Sequence, residues 1–340
     1  MRKMATIRKI DALNPIVGAD VIEAATIGGW KVVVKKGDFS VGDRVVYCEI
    51  DSWIPTNLAP FLSKGKEPRE FEGIKGERLR TVKLRGQLSQ GLLLNLDMAI
   101  PQTNSFDEGD DVSELLGIVK WELPMNAQLA GLARGNFPSF IPKTDQERAQ
   151  NLVGEILAAA DAGTKFEITE KLEGSSMTVY LYHGEFGVCS RNLDLKETEG
   201  NAFWTTARRD GIEQKMRAVP TGGDFAIQGE LIGPGIQGNI YKLHEPEFHV
   251  FDVYNISGGF YMNPEGRRGL VNMMDLNHVP VLYIDKDLGV GSVEEILQWA
   301  EAKSVMGGIN GTEREGIVFK EVNGGMTFKC VSNSYLIGEK

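Results

Sequence analysis

A lysine between two glutamates is the first chemically suggestive feature of this 340-residue chain. In the segment EKLEG, Lys171 directly follows Glu170 and stands two residues before Glu173. An amine is a nucleophile only when it is unprotonated, and neighbouring carboxylates favour the protonated form. A free lysine has a pKa of about 10.4, so fewer than roughly one amine in a thousand is neutral at pH 7. A reactive lysine here therefore needs a further group that opposes its protonation.

Other charged and aromatic residues interrupt the apolar runs that follow this segment. They are Arg191 in CSRN, Glu230 in QGELIG, Phe251 and Asp252 in HVFDV, Glu315 in REGIVFK, and Lys329 in MTFKCV. Each has a structural explanation when taken alone, because a strand-edge lysine is usually solvated and a phenylalanine usually belongs to the core. Their order along the chain is more informative than any single member.

Strands must position most of these side chains. Alternating or apolar runs predict strands at KFEITEKL, MTVYLYH, FAIQGELIG, FHVFDVYN, GIVFKEV and MTFKCV. Helical spacing predicts helices at about 197–217, 264–277 and 292–304. The run TDQERAQNLVGEILAAADAG begins with a Thr/Asp cap and ends at a glycine, which predicts another helix over residues 144–163.

Common nucleotide and metal motifs are not supported by the sequence. There is no GxxxxGK[ST], and the one GxGxxG match, at Gly233, Gly235 and Gly238, precedes NIYKLHEPEF, which has no helical period. A dinucleotide site needs a helix N-terminus at that point. The four histidines and three cysteines lack metal-ligand spacing, so we expect Cys48, Cys189 and Cys330 to be buried free thiols.

The first 100 residues differ from the rest in pattern and in charge. They hold 16 Lys+Arg and 12 Asp+Glu, whereas the remaining 240 residues hold 21 and 35. Their short strand-like runs, divided by Gly/Asp/Asn turns, predict a small barrel of the OB type. The segments PQTNSFDEGDD and GNFPSFIPKTD are polar or proline-punctuated. We therefore predict an OB-like domain over residues 1–105, a connector over 106–144 and a second domain over 145–340.

Composition excludes several classes of protein. With 42% hydrophobic and 25% charged residues, the chain has the composition of a soluble globular protein, and no apolar run is long enough to cross a bilayer. The N-terminal MRKMATIRKIDALNP has basic residues but no apolar stretch behind them, so it does not match a secretory signal. We expect a cytoplasmic protein without a membrane partner.

The ordered segments EKLEG, SRN, GELIG, FHVFDV, EGIVFK and FKCVSNSYL resemble motifs I, Ia, III, IIIa, IV and V of the lysine nucleotidyltransferases, which comprise ATP-dependent ligases and capping enzymes. The resemblance covers essentially all of residues 145–335. Only 11 residues (340 − 329) follow Lys329, and the OB-like module stands in front. This domain order is similar to that of the ATP-dependent RNA ligases that join a 3′-hydroxyl to a 5′-phosphate and carry an N-terminal OB domain.

The resemblance implies an α+β fold. The expected architecture is a five-stranded OB-like β-barrel followed by a nucleotidyltransferase domain, an ATP-grasp-like ligase adenylation domain of antiparallel sheets and helices. It also implies a reaction with ATP and Mg²⁺ or Mn²⁺, in which Lys171 attacks the α-phosphate. AMP then passes to the RNA 5′-phosphate and is displaced by the 3′-hydroxyl. A divalent ion gathered by carboxylates would favour the neutral amine, which answers the difficulty at Lys171.

The resemblance assigns roles to the remaining site residues. Glu173, Glu230 and Glu315 would hold the metal directly or through water, with a ribose contact as the alternative for Glu230. Arg191 and Lys329 would pair with phosphate oxygens, and Phe251 would stack on adenine. The complete expected nucleotide-binding set is Arg148, Glu170, Gly174, Arg191, Glu230, Phe251, Lys320 and Lys329. Lys320 either assists or is merely solvated.

Two residues depart from the family pattern. Motif I usually has Asp where this chain has Glu173, whose longer arm changes its reach toward a metal. Motif V often has two lysines separated by one residue, but the first position is Thr327 here. Either Lys320 compensates for the missing lysine, or the contact with the α-phosphate is weaker.

The expected partner is RNA, as a nicked duplex or as single-strand ends. Residues 64–85 contain eight basic and four acidic residues close to Phe61 and Phe71, a composition that suits single strands. The alternative is a mixed-charge loop whose phenylalanines belong to the barrel core. Two other functions remain open, namely a nick-sealing DNA ligase and a non-catalytic nucleic-acid-binding protein on a ligase scaffold, the latter supported by Thr327. The sequence does not identify protein partners.

Overall fold

The fold was analysed in a computed structural model that describes residues 2–100, 105–122, 131–220 and 223–338. The chain divides into two units. Unit 1 comprises Met1–Pro124, Gln150–Val153 and Leu336–Lys340, and unit 2 comprises Met125–Ala149 and Gly154–Tyr335. Strands dominate both units, with a small number of short helices, so the predicted α+β class is confirmed.

In its described residues, unit 1 is built from short antiparallel strands, one short α-helix and a 3₁₀ turn at Pro60–Ser63. The strands are β1 (Ala5–Lys9), β2 (Ala12–Pro15), β3 (Ile22–Ile27), β4 (Trp30–Lys35), β5 (Arg44–Cys48), β6 (Ser52–Pro55), β7 (Arg69–Phe71), β8 (Ile74–Arg78), β9 (Val82–Leu84), β10 (Gln87–Ser89), β11 (Leu92–Asn95) and β12 (Val119–Lys120), and α1 is Leu96–Ala99. They pair in the orders β1-β5-β11, β2-β3-β4, β12-β6-β8-β7 and β10-β9. The hairpins β7/β8 and β9/β10 add strands to those that an OB-like barrel requires.

Residue alternation explains how these strands form a core. In β4, Trp30, Val32 and Val34 are buried while the intervening residues are more exposed. β3 and β4 are joined by the two-residue turn at Gly28 and Gly29, and Gly28 has a positive φ of 54°, as such hairpins require.

The predicted connector does not stand apart from the two units. Val112, Leu116 and Ile118 are buried in the unit 1 core, and Ile7 N–H donates to Asp110 O at 3.0 Å. The later part of the same segment contains β13 (Ala133–Asn136), which belongs to unit 2.

Unit 2 contains the remaining strands and most of the helices. Its strands are β13, β14 (Glu147–Arg148), β15 (Lys165–Lys171), β16 (Ser175–Tyr182), β17 (Glu185–Cys189), β18 (Leu193–Leu195), β19 (Phe225–Ile232), β20 (Glu247–Asn255), β21 (Phe260–Tyr261), β22 (Asn277–His278), β23 (Val281–Asp287), β24 (Gly316–Glu321) and β25 (Thr327–Val331). The helices after α1 are α2 (Val153–Asp161), α3 (Ala202–Arg209), α4 (Ile212–Arg217), α5 (Pro264–Met273), α6 (Val293–Trp299) and α7 (Asn333–Gly338).

Two sheets organise unit 2. The larger one has the order β13-β18-β17-β16-β19-β20-β21, with β22 paired to β20, and the smaller one has the order β14-β25-β24-β15-β23. The sheets are antiparallel, as expected, except for the parallel pairs β14/β25 and β20/β22. One face of the larger sheet is covered by α3, α4 and α5 and forms the largest apolar cluster in the unit, with residues such as Met177, Val179 and Phe203.

The helix predictions agree with the structure except at one place. The regions 197–217, 264–277 and 292–304 contain helices α3 to α6 with shorter bounds. The predicted helix over 144–163 is wrong in its first half. Residues 147–148 form strand β14 and 149–151 a single 3₁₀ turn, and α2 begins only at Val153.

Cysteine and membrane predictions can also be compared with the structure. Cys48, Cys189 and Cys330 are buried free thiols, as expected, and burial raises the pKa of Cys48 to about 12. Among the described residues, we find no helix with the length and apolar character that crossing a membrane would require.

Candidate active site

The smaller sheet of unit 2 carries the basic side chains of the candidate site on one face. Lys320 pairs with Glu167 across β24 and β15, and Glu167 lies four residues before Lys171 on the same strand. Cross-strand partners and residues separated by an even number share a sheet face. Lys171 and Lys320 therefore emerge from the same side of the sheet.

The same face continues across the two neighbouring strands. Thr327 pairs with Lys320, and Lys329, two residues further along β25, pairs with Arg148 of β14 in parallel register. The structure thus brings Lys171, Lys320, Lys329 and Arg148 to one face, as the sequence analysis predicts. Arg148 and Lys329 are buried in the folded chain.

The opposite face of this sheet is apolar and does not reach the site. Phe166, Phe319 and Phe328 pack there with ring centroids 4.4 to 6.3 Å apart. Glu170 has the same alternation as these residues, and its Oε2 accepts a hydrogen bond from the Val305 N–H at 3.0 Å. The Glu170 carboxylate is therefore directed to the loop at residue 305, not to the Lys171 amine.

Lys171 forms an ion pair with Glu315. The Lys171 Nζ lies 2.5 Å from Glu315 Oε1, and the Lys171 side chain is 27% exposed. Glu315 stands directly before β24, whose first residue, Gly316, is the cross-strand partner of Lys171. Strand pairing, not sequence proximity, therefore places this carboxylate beside the amine.

Glu230 approaches the lysine from the larger sheet. Burial and the charge of Glu315 raise the pKa of Glu230 to about 8, against the opposing effects of Lys171, of Arg191 and of the Gly174 N–H. A Cβ atom on Gly174 would lie 2.3 Å from the Leu231 carbonyl oxygen, so a side chain there would force the strands apart. Gly174 is therefore required for the close backbone approach that positions Glu230.

Glu173 is held by a loop that follows β19. Its N–H donates to the Tyr241 hydroxyl at 2.7 Å, and its carboxylate accepts hydrogen bonds from the Gly238 N–H and the Tyr335 hydroxyl. Burial and repulsion by Glu315 raise the pKa of Glu173 despite these contacts. The loop contains the GxGxxG match, and in the described residues the next regular element after it is strand β20.

Asp145 links two of the predicted phosphate-binding residues. Lys329 Nζ donates to Asp145 Oδ1 at 3.0 Å, and Arg191 Nη2 lies 3.7 Å from Asp145 Oδ2. The sequence pattern predicts a helix cap at Asp145, but no helix starts in the described residues around it. Lys329 and Arg191 thus lie on either side of one carboxylate, and a phosphate group at the same position could contact both cations.

Lys320 is buried beneath Phe251. Its Nζ donates to Phe251 O at 2.6 Å and lies 2.5 Å from Asp252 Oδ1. Burial lowers the pKa of Lys320 to about 8, although Asp252 opposes this effect. The alternative that Lys320 is merely solvated is therefore wrong. The Phe251 ring, whose centroid lies 5.7 Å from this amine, remains partly exposed.

The three predicted metal ligands need a further partner to bind an ion. In the part of the chain that the structure describes, no three His, Cys, Asp or Glu side chains form a metal site as they stand. The charge of Glu315 nevertheless raises the pKa of both Glu173 and Glu230. Carboxylates suit hard divalent cations, and Mg²⁺ is commonly bound by one or two of them together with substrate phosphates. The donor set therefore fits an ion bound jointly with phosphates.

Sequence reasoning missed several residues of the site. Asp145, Tyr241, Tyr335 and Gly238 contact predicted residues but were given no role in the site. Tyr241 contacts Glu173 from the loop after β19, and Tyr335 contacts it from helix α7, both far away in the sequence. Tyr335 lies in the segment FKCVSNSYL and Gly238 in the GxGxxG match, but neither pattern indicates a contact with Glu173.

In unit 1, the basic segment over residues 64–85 contains strands β7, β8 and β9. Several of its cations are paired, since Arg69 lies 2.5 Å from Glu77 Oε2 and Lys75 lies 2.9 Å from Glu67 Oε1. Phe71 packs against Trp53 with a centroid distance of 5.5 Å. Phe61 is 62% exposed, so the alternative that places it in the barrel core is wrong.

Comparison with family models and known proteins identifies both parts of the chain. A model described as an OB-fold domain matches residues 4–96, and a model described as RNA ligase matches residues 164–331. A search of curated proteins finds no match.

Solved structures of an RNA ligase from Naegleria gruberi match the whole chain. An apo mutant is 44% identical with a TM-score of 0.92, covering 100% of this chain and 99% of that one. A mutant with ATP and Mn is 45% identical with a TM-score of 0.90, covering 99% of both chains. The same ligase with PPi is 45% identical with a TM-score of 0.91, covering 100% of this chain and 99% of that one. On this full-length similarity, the chain belongs to the RNA ligase family.

Proposed function

We propose that this RNA ligase uses ATP and Mg²⁺ or Mn²⁺ to join RNA 3′-hydroxyl and 5′-phosphate ends through a lysyl-AMP and an RNA-adenylate. The observation that carries the proposal is the single sheet face on which Lys171 lies with Lys329 and Arg148. The Naegleria structures with ATP, Mn and PPi support it, because these are a substrate, a metal and a product of such a reaction.

Lys171 is the proposed nucleophile. Its Nζ forms a bond to the α-phosphorus of ATP while the bond from that phosphorus to the bridging oxygen breaks, which releases pyrophosphate. An oxygen of the RNA 5′-phosphate then attacks the AMP phosphorus, and the Lys171 amine leaves. In the last step the 3′-hydroxyl attacks the 5′-phosphate phosphorus and AMP leaves. Each step needs in-line positioning and charge stabilisation more than acid-base catalysis.

The other predicted residues supply that positioning. Lys329 and Arg191 would bind phosphate oxygens once these replace the Asp145 carboxylate between them. Phe251 offers a partly exposed ring for adenine, and Lys320 fixes the backbone carbonyl of the same residue. Arg148, buried beside Lys329, would contribute positive charge to the nucleotide site. These assignments extend the family membership to individual side chains.

The carboxylates form the acidic side of the proposed site. Glu230, Glu315 and Glu173 would share an ion with the ATP phosphates, directly or through water, and a ribose contact remains the alternative for Glu230. A bound Mg²⁺ or Mn²⁺ would offset phosphate charge and oppose protonation of the lysine amine. Glu230 itself is suited to such a site, because a carboxyl with a pKa near 8 gains most from a cation that stabilises its ionised form.

The two units would have different roles in the reaction. We propose that residues 1–105 form the OB-fold domain that binds nucleic acid and that residues 145–340 form the nucleotidyltransferase domain. The basic residues of β7 to β9 and the exposed Phe61 are suited to an RNA strand, whether it belongs to a nicked duplex or to a single-strand end.

Labelling with ATP tests the proposal. The wild type, incubated with α-labelled ATP and Mg²⁺ or Mn²⁺, should acquire a label that is acid-stable and absent when the metal is chelated. Lys171→Ala should remove the label. Lys165→Ala is the matched control, because Lys165 lies on the same strand but pairs with Asp287 at 3.0 Å on the surface. A labelled Lys171→Ala protein would contradict the assignment of the nucleophile.

Sealing assays distinguish the remaining alternatives. A nicked duplex with either RNA or DNA on the 3′-hydroxyl strand should be sealed only when that strand is RNA. Equal sealing of both would favour a ligase of broader specificity. A wild type that binds RNA without acquiring label would support the non-catalytic alternative, whose basis is Thr327.

A further inference from the structure

A surface cavity in unit 2 is rich in aromatic side chains and lies outside the candidate active site. Its volume is about 690 Å³, and it is lined by β13, β16 and the segment 137–140. The rings of Phe137, Phe140, Tyr180 and Tyr182 line it. None of the residues given a role in the proposed reaction lines this cavity.

Three of the rings around the cavity lie in contact one after another. Phe140 and Tyr182 lie nearly parallel, with centroids 4.0 Å apart and an interplanar angle of 16°. His183 lies against Tyr182 with a centroid distance of 4.0 Å, and the His183 side chain is 74% exposed. The series of rings therefore runs from the partly exposed Phe140 to an imidazole that is tilted by 40° from the Tyr182 ring and open to solvent.

A cation and hydrogen-bonding groups border the same space. Arg134 lies 2.7 Å from Asp194 Oδ2 and contacts the Tyr180 hydroxyl, yet 48% of the Arg134 side chain is exposed. Its pairing with Asp194 offsets one of the two acidic charges that line the cavity, and the other, Glu185, is exposed. Asn136 and Ser139 supply uncharged polar groups at the rim. Flat apolar rings with a guanidinium and amide groups at the edge are features of sites that bind nucleobases.

The cavity and Glu230 lie on the same face of the larger sheet. Glu230 is the cross-strand partner of Ser176, and Tyr180 and Tyr182 follow Ser176 on β16 at even spacing. At about 3.3 Å per residue, these four and six residues span about 13 and 20 Å. One nucleotide of a stacked strand advances about 3.4 Å. The cavity is therefore about four to six nucleotides away from Glu230.

A short segment joins the cavity to the phosphate-binding residues. Phe137 N–H donates to the carbonyl of Asn192 at 2.9 Å, and Asn192 directly follows Arg191. Lys143 Nζ donates to the Asn192 side chain at 2.7 Å. An RNA strand that runs from Arg191 towards the cavity would thus pass the Lys143 amine before it reaches the aromatic rings.

We propose that this cavity binds one unpaired nucleobase of an RNA strand, about four to six nucleotides from the joint, by stacking on the exposed His183 ring that lies against Tyr182. The inference rests on the proposed function, because it treats RNA as the ligand of this domain. Stacking accepts any base, so the site adds affinity without sequence preference. A base that is paired with a complementary strand cannot enter the cavity, so the site serves single-strand ends or overhangs.

Binding of single-stranded RNA of different lengths tests the inference. The wild type should bind a 5′-phosphorylated RNA of about 12 nucleotides more tightly than one of about three, which is too short to reach the cavity. Tyr182→Leu keeps apolar volume but removes the ring, and it should weaken binding of the longer RNA about 5- to 100-fold while leaving the short one unaffected. His183→Asn is the second variant, since asparagine tolerates the positive φ of 49° at this turn.

Tyr283→Leu is the matched control, because Tyr283 is an aromatic residue 54% exposed on the smaller sheet. It should bind both RNAs as the wild type does. RNAs that carry one 4-thiouridine each should crosslink to peptides containing residues 180–183 most strongly at the positions about four to six nucleotides from a reacting end.

The inference is overturned if Tyr182→Leu and His183→Asn bind the longer RNA like the wild type, as they would if the cavity receives a peptide. Crosslinks confined to other peptides would overturn it as well. Self-adenylation of the wild type is scored separately. Its failure would count against the proposed function, whereas normal labelling with unchanged RNA affinity in both variants would count against the cavity alone.

Discussion

Replacing Glu230 with glutamine should make the unliganded protein more stable in a pH-dependent way. Burial and repulsion by Glu315 raise the pKa of Glu230 from an ordinary value of 4.5 to about 8. A carboxyl whose pKa is raised in the folded state stabilises the fold while it is protonated. That contribution is complete at low pH and is lost as the pH rises from about 4.5 through about 8. Glutamine resembles the protonated form at every pH.

The size of the effect follows from the same shift. At pH 7 the difference from the ordinary value of 4.5 is 2.5 pH units, and each unit corresponds to about 1.36 kcal/mol. Glu230→Gln should therefore be up to about 3 kcal/mol more stable than the wild type at pH 7 and equally stable near pH 4. Partial exposure of Glu230 screens its charge, so this value is an upper bound. For a unit of this size, it corresponds to about 6–12 °C in Tm.

Calorimetry of both proteins between pH 4 and pH 9, without nucleotide or metal, would measure this difference. Glu199→Gln is the control, since Glu199 is an exposed carboxylate in the same unit. A constant difference in Tm between Glu230→Gln and wild type across this range would refute the reasoning. Addition of ATP and Mn²⁺ should reverse the order at pH 7 and above, because the ionised Glu230 then gains a cation that glutamine cannot hold as well.

Two further substitutions test the backbone and the phosphate-binding residues. Gly174→Ala should lower the unfolding free energy by several kcal/mol and abolish self-adenylation, because the new Cβ would lie 2.3 Å from the Leu231 carbonyl oxygen. Thermal unfolding measures the first effect, and labelling with ATP measures the second. Asp145→Asn should bind ATP about 3- to 10-fold more tightly in calorimetric titrations, since Lys329 and Arg191 would no longer have to exchange a carboxylate for phosphate. Unchanged or weaker ATP binding would show that Asp145 is not a competitor of phosphate.

The sequence predicted the site best where its residues lie on regular strands. Lys171, Lys320 and Lys329 share a face because strand alternation and pairing are regular, and the ordered motifs identified the strands. The same alternation could have placed Glu170 on the opposite face. That residue was assigned to the nucleotide because of its position beside the lysine in the motif, although neighbouring strand residues point in opposite directions.

Contacts made by loops were not predictable from the sequence. Thr144 and Asp145 have the composition of a helix cap, and only the tertiary fold shows that the Asp145 carboxylate lies beside Lys329. Tyr335, in helix α7, contacts Glu173 although the two residues are more than 150 positions apart, and the segment FKCVSNSYL does not indicate this contact. The aromatic cavity has a partial signal, since Tyr180 and Tyr182 alternate on one face of MTVYLYH. The rings that complete the cavity come from the segment that had been assigned to a connector.

The departure at Thr327 can now be interpreted through strand register. Thr327 is the cross-strand partner of Lys320, so the Lys320 ammonium rises from the same face where the first lysine of motif V would stand. Lys320 does not replace that lysine as a free phosphate ligand, because its amine is buried between Phe251 O and Asp252. Its hydrogen bond to Phe251 O instead fixes the backbone that carries the Phe251 ring. Lys329 then remains to bind the phosphates, together with Arg191 on the other side of the Asp145 carboxylate. Loss of Lys329 should therefore lower self-adenylation more in this protein than in a ligase that has both motif V lysines.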